Sequence, residues 1–219
     1  MNPIVRRVIT ALSTAAAVVL AIVYAPEEVI TVALGLLLGC VLLEYLLLLG
    51  KKMPIASGRA TAWFLGGVPV LALPFVSLAY ACHFHGNLMM LYLIAIVKVG
   101  DMGGFALGVS TAKLMRGGNH KLCPTISPNK SWEGLFGSVL AACILSCAFL
   151  PITHFAWYKA LAFGVAAALV GTFGDLVESK FKRWVGVKDS ATFMPAGLGG
   201  FLDMFDSLLF APAVLLPFI

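Results

Sequence analysis

The chain has 219 residues, of which 61% are hydrophobic and only 11% are charged. Soluble domains run at roughly 45–50% apolar and about 25% charged, so this balance excludes an ordinary soluble domain and a disordered segment alike, and places the chain in a bilayer. The formal charge of +5 acquires meaning only from where the charges fall, and no nucleic-acid partner is expected.

Apolar stretches lie near 8–25, 29–50, 62–82, 88–110, 135–154, 157–176 and 201–218, each close to the ~20 residues a helix needs to span hydrocarbon. The expectation is an all-α integral membrane protein of about seven transmembrane helices. It forms a single membrane-embedded domain over 1–219, with a helical scaffold to residue 96 and a catalytic half over 97–219. Arg6 and Arg7 before the first stretch imitate a signal peptide, but Ala25-Pro26-Glu27-Glu28 is a poor cleavage site, so that stretch is read as a retained helix. Most lysines and arginines fall on the N-terminus and on the loops after the second, fourth and sixth stretches. By the positive-inside rule this puts the N-terminus and those loops in the cytoplasm.

Taken in chain order, the scaffold carries one intramembrane charge, Glu44. Two readings stand: a site residue, or a side chain near a helix end that snorkels outward, since Lys51 and Lys52 lie two turns away. At the fourth stretch Lys98 and Asp101 share a helix face one turn apart, either as an internal ion pair or as part of a site. In the following loop, Ser127 or Ser131 suits an N-cap of the next helix, Pro128 a first helical turn and Trp132 the membrane interface. Capping alone gives no use to Lys130. The five cysteines suggest no disulfide framework, and Cys143 with Cys147 reads as small-residue packing.

The densest chemistry follows the sixth stretch. On a helix Asp175, Glu178, Ser179 and Lys182 fall on one face, a set of hard oxygens that suits Mg²⁺ completed by water and phosphate. Lys180, Lys182 and Arg183 suit lipid headgroups as well as a substrate phosphate. Further on, Gly197, Gly199 and Gly200 precede a helix and allow backbone N–H groups to face an anion. Asp203, Asp206 and Ser207 then enter the last apolar stretch, where two carboxylates are costly unless they bind a cation or are otherwise paired. Clustered acids for a divalent cation beside cations for phosphate are what phosphoryl or nucleotidyl transfer requires, because catalysis there is mostly positioning and charge neutralisation.

These segments resemble the CDP-diacylglycerol synthase family. The run Gly174-Asp175-Leu176-Val177-Glu178-Ser179-Lys180-Phe181-Lys182-Arg183, with Lys188-Asp189-Ser190, Pro195, Gly199-Gly200, Leu202-Asp203 and Asp206-Ser207, is similar to that family's C-terminal signature. Lys98-Val99-Gly100-Asp101-Met102-Gly103-Gly104 and Ile126-Ser127-Pro128-Asn129-Lys130-Ser131-Trp132-Glu133-Gly134 resemble two further family motifs. The resemblance covers about 97–212. It implies phosphatidate cytidylyltransferase activity, with CTP and phosphatidic acid as substrates, Mg²⁺ as cofactor and a second cation, K⁺ among the candidates. It implies Asp175 and Asp203 as the cation centre, Asp101 and Lys182 beside them in the catalytic set, and Glu178 and Asp206 as further metal ligands. Substrate contacts would come from Lys130, Ser179, Arg183, Lys188, Asp189, Gly199, Gly200 and Ser127. A homodimer in the bacterial inner membrane, with its site facing the cytoplasm, completes the picture.

Two departures bear on activity. The family's Pro-Gly-His-Gly-Gly becomes Pro195-Ala196-Gly197-Leu198-Gly199-Gly200, and its Leu-Asp-Arg-x-Asp becomes Leu202-Asp203-Met204-Phe205-Asp206, so a histidine and an arginine are gone. Arg116 or His120 could replace them. A slower enzyme, a different lipid phosphate as acceptor, a CTP-dependent lipid kinase and a catalytically weakened relative stay open. A cation transporter fits less well, since the acids gather at one face and no internal repeat is visible.

Overall fold

The computed structural model describes residues 16–53, 58–115, 118–187, 190 and 200–219. Residues 16–24 are helical. They are followed by α1 (Glu27–Lys52), α2 (Gly58–His85), α3 (Asn87–Leu114), the strands β1 (Lys121–Cys123) and β2 (Ser127–Ser131), and α4 (Trp132–Ala148). Next come the single turn α5 (Leu150–Thr153), the long α6 (Trp157–Val185), α7 (Phe201–Phe205), α8 (Ala211–Leu215) and a 3-10 turn over Leu216–Phe218. Among the described residues α1, α2, α3 and α6 are long and apolar enough to cross a membrane, and α4 is a shorter apolar helix. Leu36, Val76, Phe105 and Phe136 are largely exposed on the outer faces, where lipid rather than water would meet them.

Local sequence explains where the helices begin and end. Glu27 and Glu28 open α1 while Lys51 and Lys52 close it, so the charges at each end complement the helix dipole. Between α2 and α3 the chain reverses through Gly86 at φ +84°, a left-handed conformation open to glycine. Asn87 pins this end of the bundle, donating to the Ala25 carbonyl at 3.0 Å and accepting from Cys82 Sγ at 3.2 Å. Ser131 caps α4, its Oγ accepting from the Gly134 N–H at 3.1 Å, as its place before Trp132 suggests. Pro128, expected in a first helical turn, lies instead in β2, which pairs antiparallel with β1. It has no N–H to give a ladder, and a short two-stranded sheet tolerates it.

Helices α3 and α4 pack backbone to backbone. A Cβ on Gly103 would stand 2.3 Å from the Ala141 Cβ and 2.7 Å from the Gly137 carbonyl oxygen, and one on Gly137 would meet the Gly103 carbonyl oxygen at 2.6 Å. In lipid no hydrophobic force drives helices together, so close van der Waals contact through small residues carries the association. The core behind this seam holds the fully buried Tyr92, Leu93 and Ile96, with the Tyr92 hydroxyl 2.7 Å from Ser146 Oγ.

The apolar stretch at 201–218 does not form one continuous helix. It folds as α7, a turn through residues 206–210, α8 and the final 3-10 turn. Pro212 and Pro217 sit in the first turns of the latter two pieces, where a missing N–H and fixed φ are tolerated and a preceding helix is interrupted. Leu208, Leu209, Ala211 and Leu215 are buried, with α8 lying against α2, α3 and α6. Irregular backbone at such depth is sustainable only where protein surrounds it.

Replacing Gly103 with valine should force α3 and α4 apart and cost about 1–3 kcal/mol, the usual range for overpacking. Thermal unfolding in detergent measures this. An unchanged transition would mean that the helices are not closely packed at this seam.

Candidate active site

The charged side chains of the catalytic half gather where the last turns of α6, the hairpin, the middle of α3 and the segment entering α7 meet. Because α6 is helical through Val185, Asp175, Glu178, Ser179 and Lys182 share a face as their spacing requires. The helix then stops at Gly186, at φ +91°, whose N–H donates to the Lys182 and Arg183 carbonyls.

Side chains from five elements meet here. Lys130, from β2, lies 2.5 Å from Asp175 Oδ2, and Ser179 donates to Asp175 Oδ1 at 3.2 Å. Lys182 Nζ sits between Glu178 Oε2 at 2.7 Å and Asp203 Oδ1 at 2.8 Å. Asp203 Oδ2 accepts from the Gly200 N–H at 2.8 Å and the Ser190 N–H at 3.2 Å. Lys98, which the sequence left open as a partner of Asp101, reaches the C-terminal segment instead. It donates to Ser207 Oγ at 2.9 Å and lies 3.8 Å from Asp206 Oδ1.

The acids that come together as a group are Asp175, Glu178 and Asp206, each with a ligand oxygen within 4.8 Å of the others. Asp203, expected to share the cation centre with Asp175, accepts from Lys182 and from two backbone N–H groups. Glu178 is buried, with its Oε2 2.7 Å from Lys182 Nζ and its Oε1 without a hydrogen-bond partner among the described residues. A buried carboxylate left in this state is costly, and a hard cation relieves it. Three carboxylate oxygens with room for phosphate and water fit Mg²⁺.

Charge regulation points the same way. Burial pushes the Asp206 carboxyl up, the neighbouring Asp175 carboxylate adds to the effect and Lys98 opposes it, leaving a pKa of about 6. For Asp203 burial would also raise the value, but Lys182 and the Gly200 N–H outweigh it and hold the carboxyl at about 2. One acid is firmly ionised and paired; the other gives up its proton less readily than an ordinary carboxyl.

A cavity of about 900 Å³ opens beside the carboxylates, between α3, the hairpin and the start of α4. Asp101, Asp175, Asp206, Lys130 and Ser127 line one part, while Phe105 and its neighbours supply an apolar wall. Arg183 is exposed on the outer side of α6, and Gly200 is buried beside Asp203. The expected contacts Lys188, Asp189 and Gly199, like Arg116, lie outside the described residues. The hairpin gave no signal in the sequence, and with it came Lys121 on the cavity wall and the His120–Glu133 pair at 2.7 Å. Glu44 is fully buried and accepts from the Leu202 N–H at 2.8 Å, so it does not snorkel.

Carboxylates grouped between lysines in an apolar helical bundle are an arrangement that suits phosphate chemistry at a membrane. The chain belongs to the cytidylyltransferase family, whose model it matches over residues 6–219. It is 42% identical over 133 residues to a phosphatidate cytidylyltransferase of Staphylococcus aureus (strain COL), a match covering 60% of this chain and 48% of that protein. It is 40% identical over 134 residues to the phosphatidate cytidylyltransferase of Staphylococcus haemolyticus (strain JCSC1435), with the same coverage. The match thus spans about half the length of these curated relatives.

The Asp206 carboxyl makes stability depend on pH. A carboxyl raised on folding binds its proton more tightly in the folded state, so stability falls as pH rises from about 4 through about 6. The loss is at most about 3 kcal/mol. Cation-free protein in detergent should therefore melt lower at pH 7.5 than at pH 5, Mg²⁺ should restore the loss, and Asp206→Asn should make the loss smaller. A wild-type profile that is flat without cation would contradict this account of the site.

Proposed function

We propose that the chain transfers a cytidylyl group from CTP to phosphatidic acid, releasing pyrophosphate and leaving CDP-diacylglycerol in the membrane. The observation that carries this reading is the grouping of Asp175, Glu178 and Asp206 beside Lys130 and Lys182, in a chain of the cytidylyltransferase family. Asp175, Glu178 and Asp206 would hold Mg²⁺, with Asp203 the further acid of the set and K⁺ a candidate for a second cation. The cation supplies charge neutralisation for the triphosphate and the departing pyrophosphate.

The chain's own side chains do the rest. Lys130 and Lys182 each lie on a carboxylate and can turn to a phosphate oxygen without crossing the site. Ser179 holds Asp175 in place, and Asp203 holds Lys182. Asp101 and Ser127 line the cavity, Gly200 holds Asp203 through its N–H, and Arg183 adds positive charge on the outer side. The phosphatidate oxygen bonds to the α-phosphorus of CTP as the bond to the β-phosphate oxygen breaks, so phosphoryl charge builds where the lysines stand. An apolar wall beside a polar floor suits a substrate with both a phosphate and acyl chains.

The lysine-rich ends of α1, α3 and α6 support a cytoplasmic face for this site, with the N-terminus on the same side. The family resemblance adds assembly as a homodimer.

Purified protein given labelled CTP, phosphatidic acid and Mg²⁺ should form labelled CDP-lipid. Asp175→Asn and Asp206→Asn should each lower the rate at least about 100-fold, as loss of a group that stabilises transition-state charge does. Product from another lipid phosphate but none from phosphatidic acid would replace the acceptor. No product from any lipid phosphate would overturn the transferase reading.

A further inference from the structure

We infer that Glu44, in the scaffold half, is a positioning residue for the acids of the site: its carboxylate fixes the first turn of α7 and through it Asp203 and Asp206. The physical problem starts with Glu44 itself. It lies inside a membrane-spanning helix and is wholly buried, where an ionised carboxylate is retained only if it is well hydrogen-bonded. Its Oε2 accepts from the Leu202 N–H at 2.8 Å and approaches Ser190 Oγ at 3.5 Å. Leu202 is the second residue of α7, and its N–H is one of the donors that no helical carbonyl can satisfy.

A second donor at the start of this turn, the Gly200 N–H, goes to Asp203. Its Oδ2 takes the N–H groups of Gly200 and Ser190, the backward reach of an acid at the third helical position. Two carboxylates far apart in the chain thus divide the N–H groups of one turn. Asp203 is left with Oδ1 toward Lys182, and Asp206 follows one turn later toward Asp175 and Glu178. Gly200 permits the arrangement, because a Cβ there would come within 2.4 Å of Glu44 Oε1 and 2.1 Å of Ser190 Oγ.

Neighbouring contacts keep Glu44 in register with α6. The next residue, Tyr45, packs on Phe181 with ring centroids 5.0 Å apart and donates to the Trp63 carbonyl at 3.0 Å. Trp63 in turn packs on Trp184 at 4.8 Å. The scaffold helices therefore hold both sides of the Lys182–Asp203 pair, α6 through aromatic rings and α7 through one buried acid.

The catalytic consequence rests on the transferase reading, whereas the placement of α7 does not, and the experiment separates them. Hydrogen exchange of the Leu202 amide is followed in wild type, Glu44→Ala, Glu44→Gln and Gly200→Ala, beside kcat and KM for CTP and the lipid. Glu44→Ala and Gly200→Ala should speed Leu202 exchange at least about tenfold and lower kcat by at least about tenfold. In Glu44→Ala both KM values should stay within about threefold, and the α3 core amides should keep their protection. Glu44→Gln, which retains an acceptor oxygen of the same reach, should recover most of both losses. Unchanged Leu202 exchange in Glu44→Ala would overturn the inference, as would loss of protection throughout α3, which marks a general folding role. If wild type transfers no cytidylyl group, the transferase reading fails while the exchange result still decides whether Glu44 places α7.

Discussion

Acidic side chains crowded at the end of an apolar bundle must have their charge answered, and much of the molecule's arrangement follows from how it is answered. Lys130 reaches Asp175 from the hairpin, Lys182 stands between Glu178 and Asp203, and Lys98 reaches the Asp206–Ser207 corner. Each of these contacts joins separate elements except the Glu178–Lys182 pair within α6. The network is therefore both the chemistry of the site and the tie between α3, the hairpin, α6 and the C-terminal segment. Where it falls short, at Glu178 Oε1, a buried acceptor is left unanswered by the described side chains.

Ties of this kind need rigid supports, and those are apolar. The glycine seam lets α3 and α4 approach closely enough to set Asp101 and the cavity wall opposite α6. The aromatic contacts Tyr45–Phe181 and Trp63–Trp184 do the same for α1, α2 and the end of α6. Small residues where backbones must meet, and rings where a gap must be filled, divide the packing between them.

The sequence made the α6 site legible because one helix carries it: the spacing of Asp175, Glu178, Ser179 and Lys182 has a single geometric consequence once the helix is granted. Asp206 was also visible, as a costly acid at the edge of an apolar stretch. What spacing could not show is which acid of two meets which partner across helices. Asp203 went to Lys182 and the backbone, and Asp206 to the carboxylate group, because α7 ends after five residues and the turn beyond it reorients the chain. The hairpin was missed because Lys121–Cys123 and Ser127–Ser131 have neither alternation nor β-branched residues to mark them. Pro212 and Pro217 were there to be read as breaks in the 201–218 stretch, but mean hydropathy is blind to them. Glu44 was noticed as an oddity, and its partner lies 158 residues further along the chain, a separation no local pattern reveals.

The broken path of the C-terminal segment has a consequence for how the protein is made. A continuous apolar helix satisfies its own backbone and can enter lipid alone, as the first stage of membrane-protein assembly supposes. Residues 206–210 form no regular helix, and Asp206, Ser207 and Leu209 lie close against Gly171 and Gly174 of α6. They must wait for α2, α3 and α6, all of which precede them in translation, and only their docking brings Asp206 to Asp175 and Glu178. A chain whose earlier helices are misassembled therefore lacks the third acid of the group, so the grouping itself records whether the bundle has been completed.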